Sequence, residues 1–187
     1  MILLDPDLDS GLTPSRNAAV PRAAKSARPD SRDSRDLRIQ RVPSARALAR
    51  FLADAQATVR LRGQVTVLLT TDRAIRKLNQ RFRGMDKPTD VLSFPAAAPL
   101  AGQVAGDLAI SVPTATRQAH EQGHTLSIEV KVLMLHGLLH LAGYDHESDT
   151  GQMARRERIL RGRLGLPQGL IERVSGMSAA APRGARR

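Results

Sequence analysis

The sequence predicts an α+β domain in which helices pack on a mixed four-stranded sheet. Short apolar segments typical of strands are interleaved with longer segments whose apolar residues recur at the helical period. Their order along the chain is βαβα, then ββ, then ααα. Apolar residues make up 41% of the chain, which is enough to form a core.

The first half of the domain reads as two strand–helix units. Residues 37–42 alternate apolar and polar side chains and predict a strand. Ser44 can cap a helix that runs to about residue 60. A second strand covers residues 65–69, and Thr71 opens a short helix. The apolar face of the first helix consists of Leu48, Phe51, Leu52, Ala55 and Val59.

The second half adds two strands and three helices. Pro113 suits the first turn of a helix. The segment from residue 128 to 142 is apolar nearly all round, which predicts a buried helix. Gly143 fits the position just past its end. The predicted ranges are 91–94 and 107–111 for the strands and 113–122, 128–142 and 149–163 for the helices.

The two ends of the chain differ in composition from this domain, which spans residues 37–165. Residues 1–36 are rich in Pro, Ser, Asp and Arg without a sustained apolar period, so we expect a disordered N-terminal tail. Residues 166–187 are basic and rich in small residues, and we expect a flexible C-terminal tail.

Composition also narrows the functional classes. The net charge of +11 favours polyanions such as nucleic acid or ribosomes, although solubility alone would also explain it. The chain has no cysteine, so disulfides are excluded and a metal would need histidine or carboxylate ligands. No apolar run reaches the length of about 20 residues that spans a membrane. We expect no membrane association and a cytoplasmic protein.

Three of the five histidines lie in one short segment. His136 and His140 are four residues apart, so on a helix their imidazoles can converge on one ion. A left-handed Gly143 would reverse the chain and bring His146 back as a third ligand. Three nitrogen ligands leave one tetrahedral position open, as in catalytic zinc sites. We therefore predict one Zn2+ per chain, held on a buried helix and the turn that follows it.

The residue after the first histidine argues against a peptidase. Metzincin peptidases share this histidine spacing, but they carry a glutamate there as general base. In this chain the position is Gly137.

Residues 136–146, HGLLHLAGYDH, resemble the signature of the YbeY family, the metal-dependent endoribonucleases also called rRNA maturation factors. Residues 79–95, 106–111 and 120–124 also resemble blocks of that family. The resemblance covers about residues 37–165. It does not extend to either tail.

This resemblance implies a zinc-dependent, single-strand-specific endoribonuclease of the bacterial cytoplasm, acting in 16S rRNA 3′-end maturation and ribosome quality control. The implied partners are single-stranded RNA, rRNA and the ribosome, with ribosomal proteins or a GTPase of ribosome assembly. The family's three zinc ligands fall on His136, His140 and His146, and its functional arginine falls on Arg83.

A guanidinium near the scissile phosphate can stabilise the negative charge that builds on its oxygens. Arg83 is therefore a predicted catalytic residue, together with His136 of the predicted metal site. Arg83 and Lys87 are the predicted substrate-binding residues. A salt bridge from Arg83 to Asp86 or Asp90 is the structural alternative.

Several points stay open at the level of sequence. Asp145, Glu147 and His124 are candidates for proton transfer, and Glu129 can orient a ligand histidine or form an ordinary ion pair. The nucleophile is either water or the RNA 2′-OH. A non-catalytic zinc-containing ribosome-assembly factor and a zinc hydrolase of a different substrate class are the alternative functions.

Overall fold

The computed structural model describes residues 1–8, 42–97, 103–145 and 149–168. Four strands and five complete helices lie within these residues, so the predicted α+β class is confirmed. The strands are β1 (Ile2–Leu4), β2 (Gln64–Thr70), β3 (Val91–Pro95) and β4 (Val104–Ser111). The helices are α1 (Ala45–Val59), α2 (Asp72–Arg83), α3 (Val112–Glu121), α4 (Leu126–Leu141) and α5 (Gln152–Arg163).

The sheet is mixed, as predicted, with the strand order β1-β2-β4-β3. β2 runs parallel to both β1 and β4. β3 pairs antiparallel with β4, so that Val91 lies opposite Ile110 and Phe94 opposite Asp107. β3 is therefore one edge of the described sheet.

The N-terminus differs from the prediction. β1 begins at Ile2, and Leu8 is buried, so a disordered tail over residues 1–36 is wrong for residues 1–8. The Asp5 amide donates to the Leu69 carbonyl at 2.9 Å, which extends the pairing of β1 with β2. The strand predicted at residues 37–42 falls mostly outside the described residues.

Local capping explains where the helices begin. Ser44 accepts a hydrogen bond from the Ala47 amide at 3.3 Å at the start of α1, and Thr71 does the same for the Ala74 amide at 3.2 Å in α2. All five apolar residues predicted for the inner face of α1 are buried. The remaining predicted helices and strands are found within a few residues of their expected bounds.

Strand alternation divides the core between the two faces of the sheet. Leu108 and Ile110 of β4 face the larger cluster, which includes α1, α4 and α5. Ala109, Leu92 and Ile75 form a smaller cluster under α2 on the other face. None of the described helices has the length and apolar character needed to cross a membrane.

Candidate metal centre

His136 and His140 lie one turn apart on α4 and their rings meet. The two Nε2 atoms are 3.2 Å apart, and the ring planes make an angle of 76°. Two nitrogens that bind the same tetrahedral zinc at about 2.0–2.1 Å lie about 3.3 Å from each other. The pair therefore fits two of the three predicted ligands.

Glu157 of α5 orients the first histidine. Its Oε2 lies 3.0 Å from Nδ1 of His136, a residue that is only 8% exposed. When Nδ1 carries the proton and donates it to this carboxylate, the lone pair of Nε2 points toward His140. Proteins commonly fix metal-binding histidines by such a carboxylate.

Arg161 holds Glu157 in turn. The Arg161 Nε donates to Oε1 of Glu157 at 2.7 Å, Nη2 donates to the same oxygen, and Nη1 donates to the Pro167 carbonyl at 2.9 Å. Burial alone would raise the pKa of Glu157, but the hydrogen bond and charge of His136, followed by those of Arg161, lower it. The carboxylate is therefore ionised and in place beside His136.

Glu157 and Arg161 were not among the site residues predicted from the sequence. The available signal was their position on the apolar side of α5, where Met153 and Leu160 are also buried. The carboxylate considered instead, Glu129, is hydrogen-bonded to His124. Glu129 lies seven positions before His136 on α4, a rise of about 10 Å, so its hydrogen bond to His124 is formed away from the two histidines.

The chain turns sharply at the end of α4. Gly143 has φ 88°, its amide donates to the His140 carbonyl at 3.0 Å, and the Tyr144 amide donates to the Leu139 carbonyl at 3.0 Å. These two bonds form a Schellman motif, so the predicted position of Gly143 just past the end of the helix is confirmed.

His146, the third predicted ligand, lies outside the described residues, as does Glu147. Within the described parts of the chain, no group of three or more His, Asp or Glu is arranged to hold a metal. Zinc therefore stays a prediction that depends on His146.

Gly137 faces the sheet. A Cβ at this position would lie 2.7 Å from Cδ2 of Leu108 and 3.2 Å from Oγ of Ser93. The Ser93 hydroxyl donates to the Gly137 carbonyl at 3.4 Å. Position 137 thus gives α4 its close approach to the sheet, and a glutamate side chain there would have to displace the side chain of Leu108.

Arg83 is the last residue of α2, and Gly84 ends that helix in the left-handed conformation with φ 71°. The two carboxylates considered as partners of Arg83 are held by other groups. Asp86 forms a two-pronged ion pair with Arg76, with both N–O distances 2.7 Å. Asp90 accepts hydrogen bonds from the Val91 amide and from Gln118.

The segment that carries Lys87 is fixed by a buried side chain. Nδ2 of Asn79 donates to the Lys87 carbonyl at 2.8 Å, and Asn79 is 1% exposed. The Lys87 side chain remains exposed. Arg83 and Lys87 are therefore presented by a segment whose backbone is held from within.

Strand β3 lies between this segment and the histidines. The ring of Phe82 in α2 packs edge-on against Phe94 of β3, with centroids 5.0 Å apart. Ser93, the preceding residue of β3, contacts Gly137 on the opposite face. One edge strand thus connects the end of α2 to the histidine pair.

The candidates for proton transfer are placed differently. His124 lies two residues before Leu126, the first residue of α4. Leu126 is about 15 Å from His136 along the helix axis. His124 is bound to the buried Glu129 and is too distant to serve the two histidines. Asp145 is exposed and lies two residues beyond the turn at Gly143.

Comparisons with known proteins identify relatives of this chain. A family model described as Endoribonuclease YbeY matches residues 32–165. The Endoribonuclease YbeY of Koribacter versatilis is 50% identical over 132 residues, covering 71% of this chain and 85% of that protein. The protein of the same name from Solibacter usitatus is 50% identical over 128 residues, covering 68% and 84%. The solution structure of a Thermotoga maritima protein is 29% identical with a TM-score of 0.47, covering 78% of this chain and 96% of that one.

Proposed function

The chain belongs to the endoribonuclease YbeY family, and on that premise we propose that it is a zinc-dependent, single-strand-specific endoribonuclease. We propose 16S rRNA 3′-end maturation and ribosome quality control in the cytoplasm as its role, with the ribosome as its partner. The family name supports RNA as the substrate. The net charge of +11 supports binding to this polyanion.

The observation that best supports this proposal is the convergence of the His136 and His140 side chains. Their Nε2 atoms are 3.2 Å apart, and Glu157 fixes the ring of His136 by a hydrogen bond of 3.0 Å. Zinc would be held by His136, His140 and His146. A bound zinc ion supplies a Lewis acid and lowers the pKa of coordinated water to about 7.

The chain's own cations bind the phosphates. Cleavage places extra negative charge on the non-bridging oxygens, and the Arg83 guanidinium can bind two of them at once. Lys87 holds a neighbouring phosphate as a point charge. The bonds of Gly84 and Asn79 set the direction of this segment before RNA binds.

The packing of position 137 disfavours the peptidase alternative. The glutamate that activates water in metzincins would occupy a site filled by Leu108 and Ser93. A non-catalytic assembly factor would bind RNA without cleaving it, so an activity assay separates it from the enzyme.

The test uses purified full-length protein. Metal content is measured beside cleavage of single-stranded RNA, duplex RNA and casein, with and without a chelator. We expect zinc, cleavage of single-stranded RNA only, and loss of activity with the chelator. Cleavage of casein instead, or RNA binding without cleavage, would contradict the proposal.

Three single substitutions test the proposed roles of His140 in metal binding and of Arg83 in stabilising charge. His140→Ala should lose both metal and activity while staying folded. Arg83→Ala should keep its metal and lose about 100- to 1,000-fold in turnover, the usual effect of removing one group that stabilises developing charge. Arg46→Ala, an exposed arginine on α1, is the matched control and should change neither. A folded His140→Ala variant with full activity would end the enzyme proposal.

Product chemistry identifies the nucleophile. A 2′,3′-cyclic phosphate would show that the RNA 2′-OH attacks the phosphate, whereas linear phosphate ends formed without that intermediate would indicate water.

A further inference from the structure

Helix α2 presents a stripe of positive charge. Arg73, Lys77 and Arg81 follow one another at intervals of four residues, so they lie on one side of the helix and rise about 6 Å from each to the next. All three are exposed. Like charges at this spacing destabilise a helix slightly, so this stripe does not serve the stability of α2.

The acidic groups near α2 are engaged elsewhere. Asp86 is bound to Arg76, and Asp72 accepts hydrogen bonds from Arg117 and from two hydroxyl groups. Within the described residues, no carboxylate forms an ion pair with a member of the stripe. The described carboxylates therefore leave the charge of the stripe unneutralised.

An aromatic ring lies next to Arg81, the last member of this stripe, on the adjoining side of the helix. Phe82 is 57% exposed, although Ile75 and Asn79 on the same side of the helix are buried. Its ring is held edge-on against Phe94, and the Arg81 guanidinium lies 5.3 Å from its centroid. A fixed, exposed ring beside cations is the combination on which proteins stack unpaired bases.

This surface leads toward the histidines. Phe82 contacts β3, which is an edge strand about 4.8 Å from its neighbour in the sheet. On the other face of the same strand, Ser93 contacts the residue that follows His136. An RNA chain bound along α2 would have to pass around the edge strand β3, beside Arg83, to reach His136 and His140.

We propose that α2 is a binding surface for single-stranded RNA, on which Arg73, Lys77 and Arg81 hold backbone phosphates and Phe82 stacks on an unpaired base. This inference rests on the proposed function and extends it. It assigns to α2 the stretch of substrate that flanks the cleaved bond.

Base stacking is tested with the full-length protein and a fluorescent 2′-O-methyl oligonucleotide, which cannot be cleaved by attack of its own 2′-OH and whose length is checked after each titration to exclude cleavage by water. Phe82→Leu keeps an apolar side chain but removes the ring, and Phe82→Tyr keeps the ring. Anisotropy should show binding about 5- to 100-fold weaker for Phe82→Leu, as expected for one lost stacking contact. Phe82→Tyr should bind like the wild type. On an abasic strand of the same length, Phe82→Leu and wild type should bind equally.

The phosphate contacts are tested through salt dependence. The double variant Arg73→Ala/Lys77→Ala should reduce the slope of log K against log salt by about 1.4, since each phosphate contact on a single strand contributes about 0.7. The matched control is Arg46→Ala/Arg50→Ala, an exposed pair with the same spacing on α1, which packs on the opposite face of the sheet. The control should leave the slope unchanged.

The outcomes separate this surface from the enzyme itself. Wild-type cleavage of single-stranded RNA together with unchanged binding by the α2 variants would overturn the surface and leave the proposed function standing. An equal loss for Phe82→Leu on the normal and the abasic strand would overturn base stacking. A wild-type protein that neither binds nor cleaves single-stranded RNA would overturn both proposals.

Discussion

Substituting Glu157, the buried carboxylate beside His136, allows the stability of the fold and the affinity for zinc to be tested separately. Glu157→Gln preserves the shape of the side chain but replaces one oxygen by an NH2 group. If the amide oxygen accepts from Nδ1 of His136, the NH2 group faces the N–H donors of Arg161. If the amide is reversed, its NH2 group meets His136 and forces the proton onto Nε2, where zinc would bind. Neither orientation satisfies both neighbours.

The expected magnitude follows from burial. The Arg161 side chain is 1% exposed, and removing one partner of such a pair costs about 3–5 kcal/mol. That is a large part of the roughly 5–15 kcal/mol that stabilises a typical domain. Loss of the group that orients a ligand histidine lowers metal affinity about 10- to 100-fold, which is about 1.4–2.7 kcal/mol.

A second substitution distinguishes the two effects. Glu157→Gln/Arg161→Met removes the unpaired charge and leaves an apolar side chain of similar length, so most of the unfolding free energy should return. The affinity for zinc should stay low, because His136 still lacks its carboxylate. Urea unfolding in chelator measures the first quantity, and competition with a chromophoric chelator measures the second.

Two results would refute this reasoning. If the double variant binds zinc as tightly as the wild type, Glu157 does not orient the ligand. If Glu157→Gln alone changes the unfolding free energy by less than about 1 kcal/mol, the ion pair lacks the energetic role that its burial implies.

Three further predictions concern packing and charge, and urea unfolding checks each one. Gly137→Ala should destabilise the fold by about 0–2 kcal/mol, because crowding against Leu108 outweighs the helix preference of alanine. Gly162→Ala, which has open space around it, should instead stabilise the fold by about 0.5–1 kcal/mol. Equal effects of the two substitutions would contradict the close approach of α4 to the sheet. Gly106→Ala should cost about 2 kcal/mol or more, since φ is 146° and a Cβ would overlap the carbonyl of the paired strand β3; a neutral result would contradict this register. Burial raises the pKa of Asp72, but hydrogen bonds from two hydroxyl groups and the hydrogen bond and charge of Arg117 together lower it below the ordinary 3.8. Asp72→Asn should therefore destabilise by about 1–2 kcal/mol at pH 7, with the difference from wild type closing as the pH falls below about 4; a constant difference would show that the charge is not involved.

Signals that are local in the chain predicted most of the fold. Ser44 and Thr71 cap helices because a hydroxyl and an amide three residues later are enough to form the bond. The apolar period of α1 identified its five buried residues for the same reason. Gly143 was predictable because a left-handed residue after a helix strongly favours glycine.

The first strand lacked such a signal. Ile2 to Leu4 is too short to show alternation, and only the available edge of β2 makes it a strand. The segment is then held by bonds to distant residues, such as the bond from Thr70 to Asp5. Composition alone therefore placed residues 1–8 in the tail.

The site residues also differ in whether local or distant contacts determine their position. His136 and His140 were predictable because four residues of helix bring them together. Glu157 is 21 positions away from His136, and its role depends on how α5 packs against α4. A glutamate and an arginine four residues apart on a helix usually form a surface pair, and only burial distinguishes this pair from that ordinary case.

Gly137 shows why one motif can encode two requirements. His136 and His140 are spaced as the proposed shared ion requires, whereas the glycine is required by the close approach of α4 to strand β4, since a Cβ would lie 2.7 Å from Leu108. A carboxylate at 137 would have to displace the side chains of Leu108 and Ser93, which contact this position. The absence of a peptidase-type base and the tight helix–sheet contact are therefore consequences of the same residue.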